Sequence, residues 1–428
     1  MHKISKASCR LCKFPELVSV FDLGEISLSG TFLKAGEFVP VLPLNLARCL
    51  ECGLVQLYDD LPIEMLYSSD YGYESHLNSS MVTHLKTKAA NLCEILAEDT
   101  VDGNLQAPRT ILDIASNDGT LLHEFSKLLK NTSIFIGCDP LISNFKDKYP
   151  SNAQKIEKFF TSANVGHNLL GKIDLVTSLS VYYDVKDPLN FAQDVWSLLK
   201  PGGYWHLEQS YFPLMLRNNS YDTICHEHLL YFSASDLKKI AQKIGFEVVN
   251  FQLNEINGGS LELTLRKRKS NLSAIQVSVN VKRFEELCNS ERISGITDGV
   301  AMASFAQSSQ EHALKLRNIL LEMKSKGIEI YALGASTKGN IILNYSELTD
   351  KLISCIGEVN EKKFGKVTPG TNIPICDENF ILKNSGENKV ALILPWHFRA
   401  TFIEKAKFFL ETGGKLIFPL PEIEIIEL

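Results

Sequence analysis

The chain has 428 residues, 45% of them hydrophobic and 22% charged, with a formal net charge of -6. Its length suits about two to four domains, and its composition is that of a packed globular protein rather than a disordered or fibrous one. No dense Lys/Arg face is present, so nucleic acid is not an expected partner. No apolar run reaches the ~18–20 residues that span a bilayer, so no membrane partner is expected either.

The first six residues, Met1-His2-Lys3-Ile4-Ser5-Lys6, are followed by no apolar core and do not form a secretory signal; a cytoplasmic location is expected. There, the ten cysteines are expected as metal ligands or buried thiols rather than disulfides. Four regions are predicted: a small module with paired cysteines over 1–80, a larger α/β domain over 81–265, a connector and long helix over 266–326, and a smaller α/β domain over 327–428. In the first, Cys9, Cys12, Cys49 and Cys52 form two C-x2-C pairs with 36 residues between them. Each pair makes a knuckle that aims two sulfurs at one ion, and two knuckles complete a tetrahedral thiolate site suited to Zn(II). Four sulfurs leave no open position, so the zinc is expected to be structural and remote from the chemistry.

The second region alternates apolar strand candidates at 110–115, 134–138, 173–178 and 204–209 with amphipathic segments. That alternation predicts a mostly parallel sheet with helices on both faces, a Rossmann-like α/β fold. The first strand runs through Asp113 into the small-residue loop Ala115-Ser116-Asn117-Asp118-Gly119, and the second ends at Asp139-Pro140. Small residues let the backbone approach a ligand, and a carboxylate about 20 residues on can accept ribose hydroxyls. The loop lacks the G-x-G-x-x-G that seats a dinucleotide pyrophosphate. An acidic residue at the first strand end suits the cationic amino-acid end of S-adenosylmethionine (SAM). Ser178, at the end of the 173–178 strand, completes the expected cofactor set. Ala115 stands where a loop glycine is usual, which removes easy access to positive φ.

After the Pro201-Gly202-Gly203 turn comes Cys225-His226-Glu227-His228, in a segment dense in titratable groups. Adjacent histidines converge poorly on a metal. Acid–base work by a histidine, with a neighbouring carboxylate to orient it, is the expectation. The connector 266–291 is polar, and the runs Arg266-Lys267-Arg268-Lys269 and Lys362-Lys363 are expected to be solvated loops. A long helix over 299–326 leads to a second α/β alternation, with strand candidates at 328–333, 353–359, 390–394 and 415–418. Its first strand runs into the Gly-rich turn Gly334-Ala335-Ser336-Thr337-Lys338-Gly339-Asn340.

In this order the motifs resemble those of the nucleotide-sugar C-methyltransferases that act on 4-keto-deoxysugars. The resemblance covers essentially the whole chain and adds Tyr71-Gly72-Tyr73-Glu74-Ser75 with Ser79, Ser80, Met81 and His84, Asn257-Gly258-Gly259-Ser260, and Lys366-Val367-Thr368-Pro369-Gly370-Thr371. It implies a zinc-binding N-terminal domain, a SAM-binding Rossmann domain and a C-terminal α/β domain that helps hold a nucleotide sugar. It makes His228 the base that forms an enolate, with Glu227 beside it, and puts Tyr71 and Tyr73 against the sugar. Asn257, Asn340 and Lys366 fall within motifs on the substrate side, and the resemblance gives Ser336, Thr337 and Lys338 of the Gly-rich turn to the substrate's diphosphate. Two positions depart from the family: Cys225 replaces a tyrosine, and Asp184 replaces a histidine in the loop after the third strand. Both point to a change in the substrate. O- or N-methylation of a related sugar, or a non-catalytic SAM-binding assembly protein, are the alternatives.

Overall fold

The computed structural model describes residues 5–6, 8–61, 73–98, 107–130, 132–268, 279–296 and 299–428. The N-terminal module is an antiparallel sheet of Leu17–Ser27, Val41–Cys49 and Val55–Leu57. Its middle strand alternates as a half-buried strand should, with Leu42, Leu44 and Leu46 facing in. The fourth strand of this sheet comes from far along the chain: Leu230–Tyr231 pairs antiparallel with Val55–Leu57. The module also reaches the C-terminal domain, where Leu33 and Lys34 pair with Val367 and Lys366.

The central sheet has seven strands in the order Phe246–Asn254, Ser260–Lys267, Leu199–Ser210, Ile173–Leu179, Thr110–Ile114, Ile134–Cys138 and Ala153–Ile156. Ser260–Lys267 runs antiparallel to its neighbours and the other strands are mutually parallel. This is the class I SAM methyltransferase fold. Thr110–Ile114 and Ile173–Leu179 are buried nearly throughout, as strands covered on both faces are. Helix Ser79–Glu98 packs on the sheet through Leu85, Ala89, Leu92 and Leu96 at helical spacing.

The expected basic loops are instead structural. Arg266 and Lys267 close the strand Ser260–Lys267, and Lys267 Nζ donates to the carbonyls of Trp196 (2.6 Å) and Leu199 (2.7 Å). Lys362 Nζ donates to Glu74 at 2.7 Å and Lys363 Nζ to the Ala335 carbonyl at 2.8 Å. Lysine stems cover apolar surface while the ammonium finds acceptors, a use that charge alone does not announce. The polar connector likewise contains a helix, Val279–Ile293. Its buried Glu291 accepts Tyr211 Oη–H (2.6 Å) and the N–H groups of Ala234 (2.6 Å) and Ser235 (2.9 Å), so it satisfies the open start of helix Ala234–Ile244.

The C-terminal sheet has six strands in the order Ile375–Asp377, Ile356–Glu358, Glu329–Leu333, Lys389–Ile393, Lys415–Phe418 and Glu424–Ile426, parallel except the last. The long helix Val300–Ser325 precedes it. Among the described residues no helix is long and apolar enough to cross a membrane.

Candidate active site

A cavity of about 720 Å³ opens where the three sheets meet. Gly30 and Phe32 line it from the N-terminal module, and Asp113–Asp118, Asp139, Tyr183, Asp184, Cys225, Glu227, His228 and Asn257 from the centre. Gly334–Lys338 and His397 line it from the C-terminal domain.

On the SAM side, the loop after the first strand takes left-handed conformations at Ala115 (φ 56°), Asn117 (φ 47°) and Gly119 (φ 77°). Ala115 thus adopts the conformation that glycine would reach freely, at a cost of roughly 1–2 kcal/mol. A side chain on Gly119 would meet the Tyr149 ring at 2.8 Å. That glycine starts helix Thr120–Leu128 and does not itself line the cavity. Burial pushes the Asp113 carboxyl up to about 7, although Thr177 Oγ1 donates to it at 2.7 Å. Asp139 is also raised by burial while accepting the N–H groups of Leu141 (2.7 Å) and Asn117 (3.0 Å). Two buried carboxylates short of a cation suit a cationic ligand such as SAM. Pro140 and Ser116 line the same wall, Ser116 with its Oγ 2.8 Å from Tyr149 Oη.

Asn117 and Asp118 spend their side chains on a clasp rather than on open space. Asn117 accepts Ser75 N–H (3.1 Å) and donates to the Tyr73 carbonyl (3.0 Å). Asp118 accepts His76 N–H (2.9 Å) and Thr120 Oγ1–H (2.6 Å), bonds that outweigh burial and lower its pKa. Buried Glu74 latches this segment across the cavity mouth, taking Lys148 (3.0 Å) from the central domain and Lys362 (2.7 Å) from the C-terminal one. Tyr73 lines the cavity, and Tyr71 lies outside the described residues. Ser178 does not line it; its Oγ accepts the buried Trp205 indole N–H at 2.9 Å.

Among the described residues the His228 imidazole makes one hydrogen bond: its Nδ1 lies 2.7 Å from the Thr223 carbonyl. A carbonyl only accepts, so Nδ1 carries the proton and Nε2 is left as the basic nitrogen. Burial and the positive charge of Lys338 bring its pKa down to about 3, so the ring is neutral at physiological pH. The Tyr183 ring packs against it, centroids 4.3 Å apart. Glu227 was expected to orient His228, but the Thr223 carbonyl does so instead. Glu227 sits in a turn closed by the His228 N–H on the Cys225 carbonyl (3.1 Å), and its side chain lies toward Gly30, whose missing side chain makes room for its carboxyl. Burial raises the Glu227 pKa, and its Oε2 has no hydrogen-bond partner among the described residues. His226 reaches back to the Leu42 carbonyl (3.4 Å). Leu57 N–H donates to the Leu229 carbonyl at 3.0 Å. The N-terminal module therefore walls the loop that carries His228, although its four paired cysteines do not line the cavity. Cys225 is a fully buried thiol on the cavity wall, raised by burial, and Asp184 lies near it.

Across the cavity, Gly334 (φ 85°) turns the chain from strand Glu329–Leu333 into helix Thr337–Tyr345, and Ser336 caps that helix by accepting Gly339 N–H (3.1 Å). Lys338 Nζ donates to the Asn257 carbonyl (2.6 Å) and lies 3.4 Å from Thr223 Oγ1. Asn340 and Lys366 do not line the cavity. Asn340 donates to the Ser29 carbonyl (2.7 Å), and Lys366 belongs to the two-residue ladder with Lys34. Both therefore join domains. His397 is a wall residue that the sequence did not single out. Its Nδ1 is buried without a hydrogen-bond partner among the described residues, and burial with the charge of Lys338 lowers it to about 3. Its only signal was its place after strand Lys389–Ile393.

Away from the cavity, Cys9 Sγ lies 3.5 Å from Cys52 Sγ and Cys12 Sγ 3.5 Å from Cys49 Sγ, with all four sulfurs within 4.8 Å of one another. Thiolates about 2.3 Å from a tetrahedral zinc stand roughly 3.8 Å apart, so these residues fit that ion. His84, Glu208 and Glu262 also cluster. There Lys88 already bridges both carboxylates, at 2.8 Å from Glu208, so this is a buried ion network rather than a metal site.

Three family models match consecutive stretches of the chain. They are "Putative zinc binding domain" over residues 9–67, "Methyltransferase domain" over 83–250 and "C-methyltransferase C-terminal domain" over 255–421. The chain is 26% identical over 426 residues to C-methyltransferase NovU of Streptomyces niveus, a match spanning 98% of this chain and 96% of that protein. Among solved structures, it is similar to magnesium protoporphyrin IX methyltransferase of Synechocystis PCC 6803 with bound SAM. That match has 16% identity and a TM-score of 0.33, over 46% of this chain and 86% of that one. It is also similar to the 1,6-didemethyltoxoflavin-N1-methyltransferase of Burkholderia thailandensis, at 12% identity and a TM-score of 0.31, over 52% of this chain and 99% of that one.

Proposed function

We propose that this SAM-dependent C-methyltransferase, with its zinc-binding N-terminal and C-methyltransferase C-terminal domains, methylates a carbon beside the ketone of a nucleotide-linked keto-deoxysugar. Bound SAM supplies an electrophilic methyl group, and Asp113 and Asp139 are the residues suited to hold its ammonium and ribose. The observation that carries the proposal is the single tether of His228. With Nδ1–H given to the Thr223 carbonyl, Nε2 is a fixed, unprotonated base in a cavity shared by all three domains.

A sugar carbon becomes nucleophilic only when a proton leaves the position beside the carbonyl. His228 takes that proton, and the C–H electron pair passes into the ring as an enolate. The low pKa keeps the imidazole unprotonated and ready to accept that proton. The Gly334 N–H is spent on the Gly357 carbonyl (2.8 Å), and the backbone from Ala335 into the first turn of helix Thr337–Tyr345 is left to offer N–H groups to the diphosphate. Cys225 and Asp184, where antibiotic-sugar enzymes carry tyrosine and histidine, set which keto sugar fits. The test is methyl transfer from SAM to a panel of dTDP-, GDP- and UDP-4-keto-6-deoxysugars, with the product's new C–C bond read by NMR. His228→Ala should lower kcat by about 10²–10⁴-fold. Full activity in that variant, or methyl found only on oxygen or nitrogen, would overturn the proposal.

A further inference from the structure

We propose that Lys338 is a catalytic residue, the cation that receives the negative charge of the enolate oxygen, rather than a diphosphate anchor. The inference rests on the carbon-acid chemistry proposed above and names the group that makes it possible.

Lys338 and His228 are fastened to the same residue. His228 Nδ1 donates to the carbonyl of Thr223, and Lys338 Nζ lies 3.4 Å from the hydroxyl of Thr223. The ammonium is held from the far side by the Asn257 carbonyl at 2.6 Å. A base and a cation so placed bracket a short unit, a C–H and the carbonyl beside it, as enolisation requires. An ammonium has three N–H donors, and among the described residues Lys338 uses two, the longer one weakly. One strong donor is left for the cavity that the residue lines.

Its electrostatic setting agrees. Lys338 lies close enough to His228 and to His397 for its charge to lower both rings. Its own countercharge, buried Asp222, is turned aside by the Trp396 indole, whose N–H donates to Asp222 Oδ2 at 2.8 Å. Burial lowers the Lys338 pKa and the charge of Asp222 opposes that, so the cation is compensated with no carboxylate in hydrogen-bond contact among the described residues, and it keeps its field for an oxyanion in a low-dielectric site. The turn has another lysine for the diphosphate: Lys363 Nζ meets the Ala335 carbonyl at 2.8 Å, whereas Lys338 reaches into the central domain.

In the step, the substrate C–H bond breaks and its proton goes to His228 Nε2. The electron pair forms C=C, and the carbonyl π pair moves to oxygen, where the Lys338 ammonium hydrogen-bonds it. No proton leaves Lys338. When the carbonyl re-forms, the C=C pair would make the new C–C bond to the methyl group as the sulfur–methyl bond of SAM breaks, its pair staying on sulfur to leave neutral S-adenosylhomocysteine, and His228 returns its proton to solvent.

The test uses the full-length zinc-loaded enzyme with Lys338→Met and Lys338→Arg. Two quantities are read: kcat and KM for the keto sugar that the wild type methylates, and the affinities of dTDP, GDP and UDP by calorimetry. Lys338→Met should lose at least a hundredfold in kcat while nucleotide affinity stays within threefold. Lys338→Arg, which keeps the charge on a longer fork, should recover part of kcat. Nucleotide affinity weakened tenfold or more with kcat largely kept would overturn the role and return Lys338 to the diphosphate. If Lys338→Met fails to fold, an arginine variant with full kcat and weakened nucleotide affinity would overturn it equally. A wild type that transfers no methyl to any keto sugar of the panel would sink the sugar proposal itself, and the enolate role with it.

Discussion

The two parallel sheets begin alike and serve opposite charges. Each opens with a buried strand, a turn of small residues in left-handed conformation and a helix: Thr110–Ile114 into Thr120–Leu128, and Glu329–Leu333 into Thr337–Tyr345. Around the first turn stand Asp113, Asp118 and Asp139, all buried; around the second, Lys338 and Lys363. Topology supplies two similar cradles, and side chains make them opposite in charge: acidic around the first, basic around the second. Both cradles contribute residues to one cavity, which therefore has an acidic wall and a basic one.

Removing the zinc should break this comparison most widely. The N-terminal module pairs with Leu230–Tyr231 beside His228 and with Lys366–Val367 of the C-terminal domain, so it holds the cradles in register. A structural zinc contributes on the order of 10 kcal/mol to the fold that binds it. Chelation, or Cys49→Ala, should remove zinc by elemental analysis, lower the melting temperature and abolish methyl transfer. Mirror-image substitutions should then separate the cradles. Gly119→Val forces a β-branched residue to φ 77° against the Tyr149 ring and should weaken SAM about a hundredfold, some 2.7 kcal/mol, with nucleoside diphosphate affinity unchanged. Gly334→Val, at φ 85° against Pro395, should do the reverse. Titration calorimetry with each ligand reads both.

A smaller effect lies in pH. Asp113 titrates near 7 in the free protein, and its charged form is the one that pairs with the ammonium of SAM. SAM affinity should be flat above pH 7 and fall by up to about tenfold per pH unit below it. Asp113→Asn should erase that slope. The smallest effect is expected at Ala115→Gly. It relieves the left-handed alanine, but the glycine costs about 0.5–1 kcal/mol of chain entropy, so stability should change by no more than about 1 kcal/mol in thermal unfolding.

Local patterns made much of this legible. The C-x2-C pairs, the acidic strand end at Asp113, the small-residue turns and His228 are signals carried by adjacent residues. What was not legible depends on partners distant in sequence. The clasp of Asn117 and Asp118 on residues 73–76 is one case, and the use of Asn340 and Lys366 as joints between domains is another. Thr223 as the tether of His228 is five residues away but needs a loop geometry that periodicity does not encode. Within the charge runs, the buried uses of Lys267 and Lys363 are not legible, because a lysine's acceptor is chosen by tertiary packing. His397 had no motif at all and becomes visible only when the C-terminal domain is folded against the centre.

The central claim is that His228 makes a carbanion equivalent before any methyl group moves. The most direct measurement is proton NMR of a nucleoside-diphosphate 4-keto-6-deoxysugar in D2O with enzyme and no SAM. The account predicts that the wild type washes out the proton beside the ketone and that His228→Ala does not, beyond the uncatalysed rate. Washout that persists at the wild-type rate in His228→Ala, or methyl transfer by a wild type that never exchanges that proton, would contradict it.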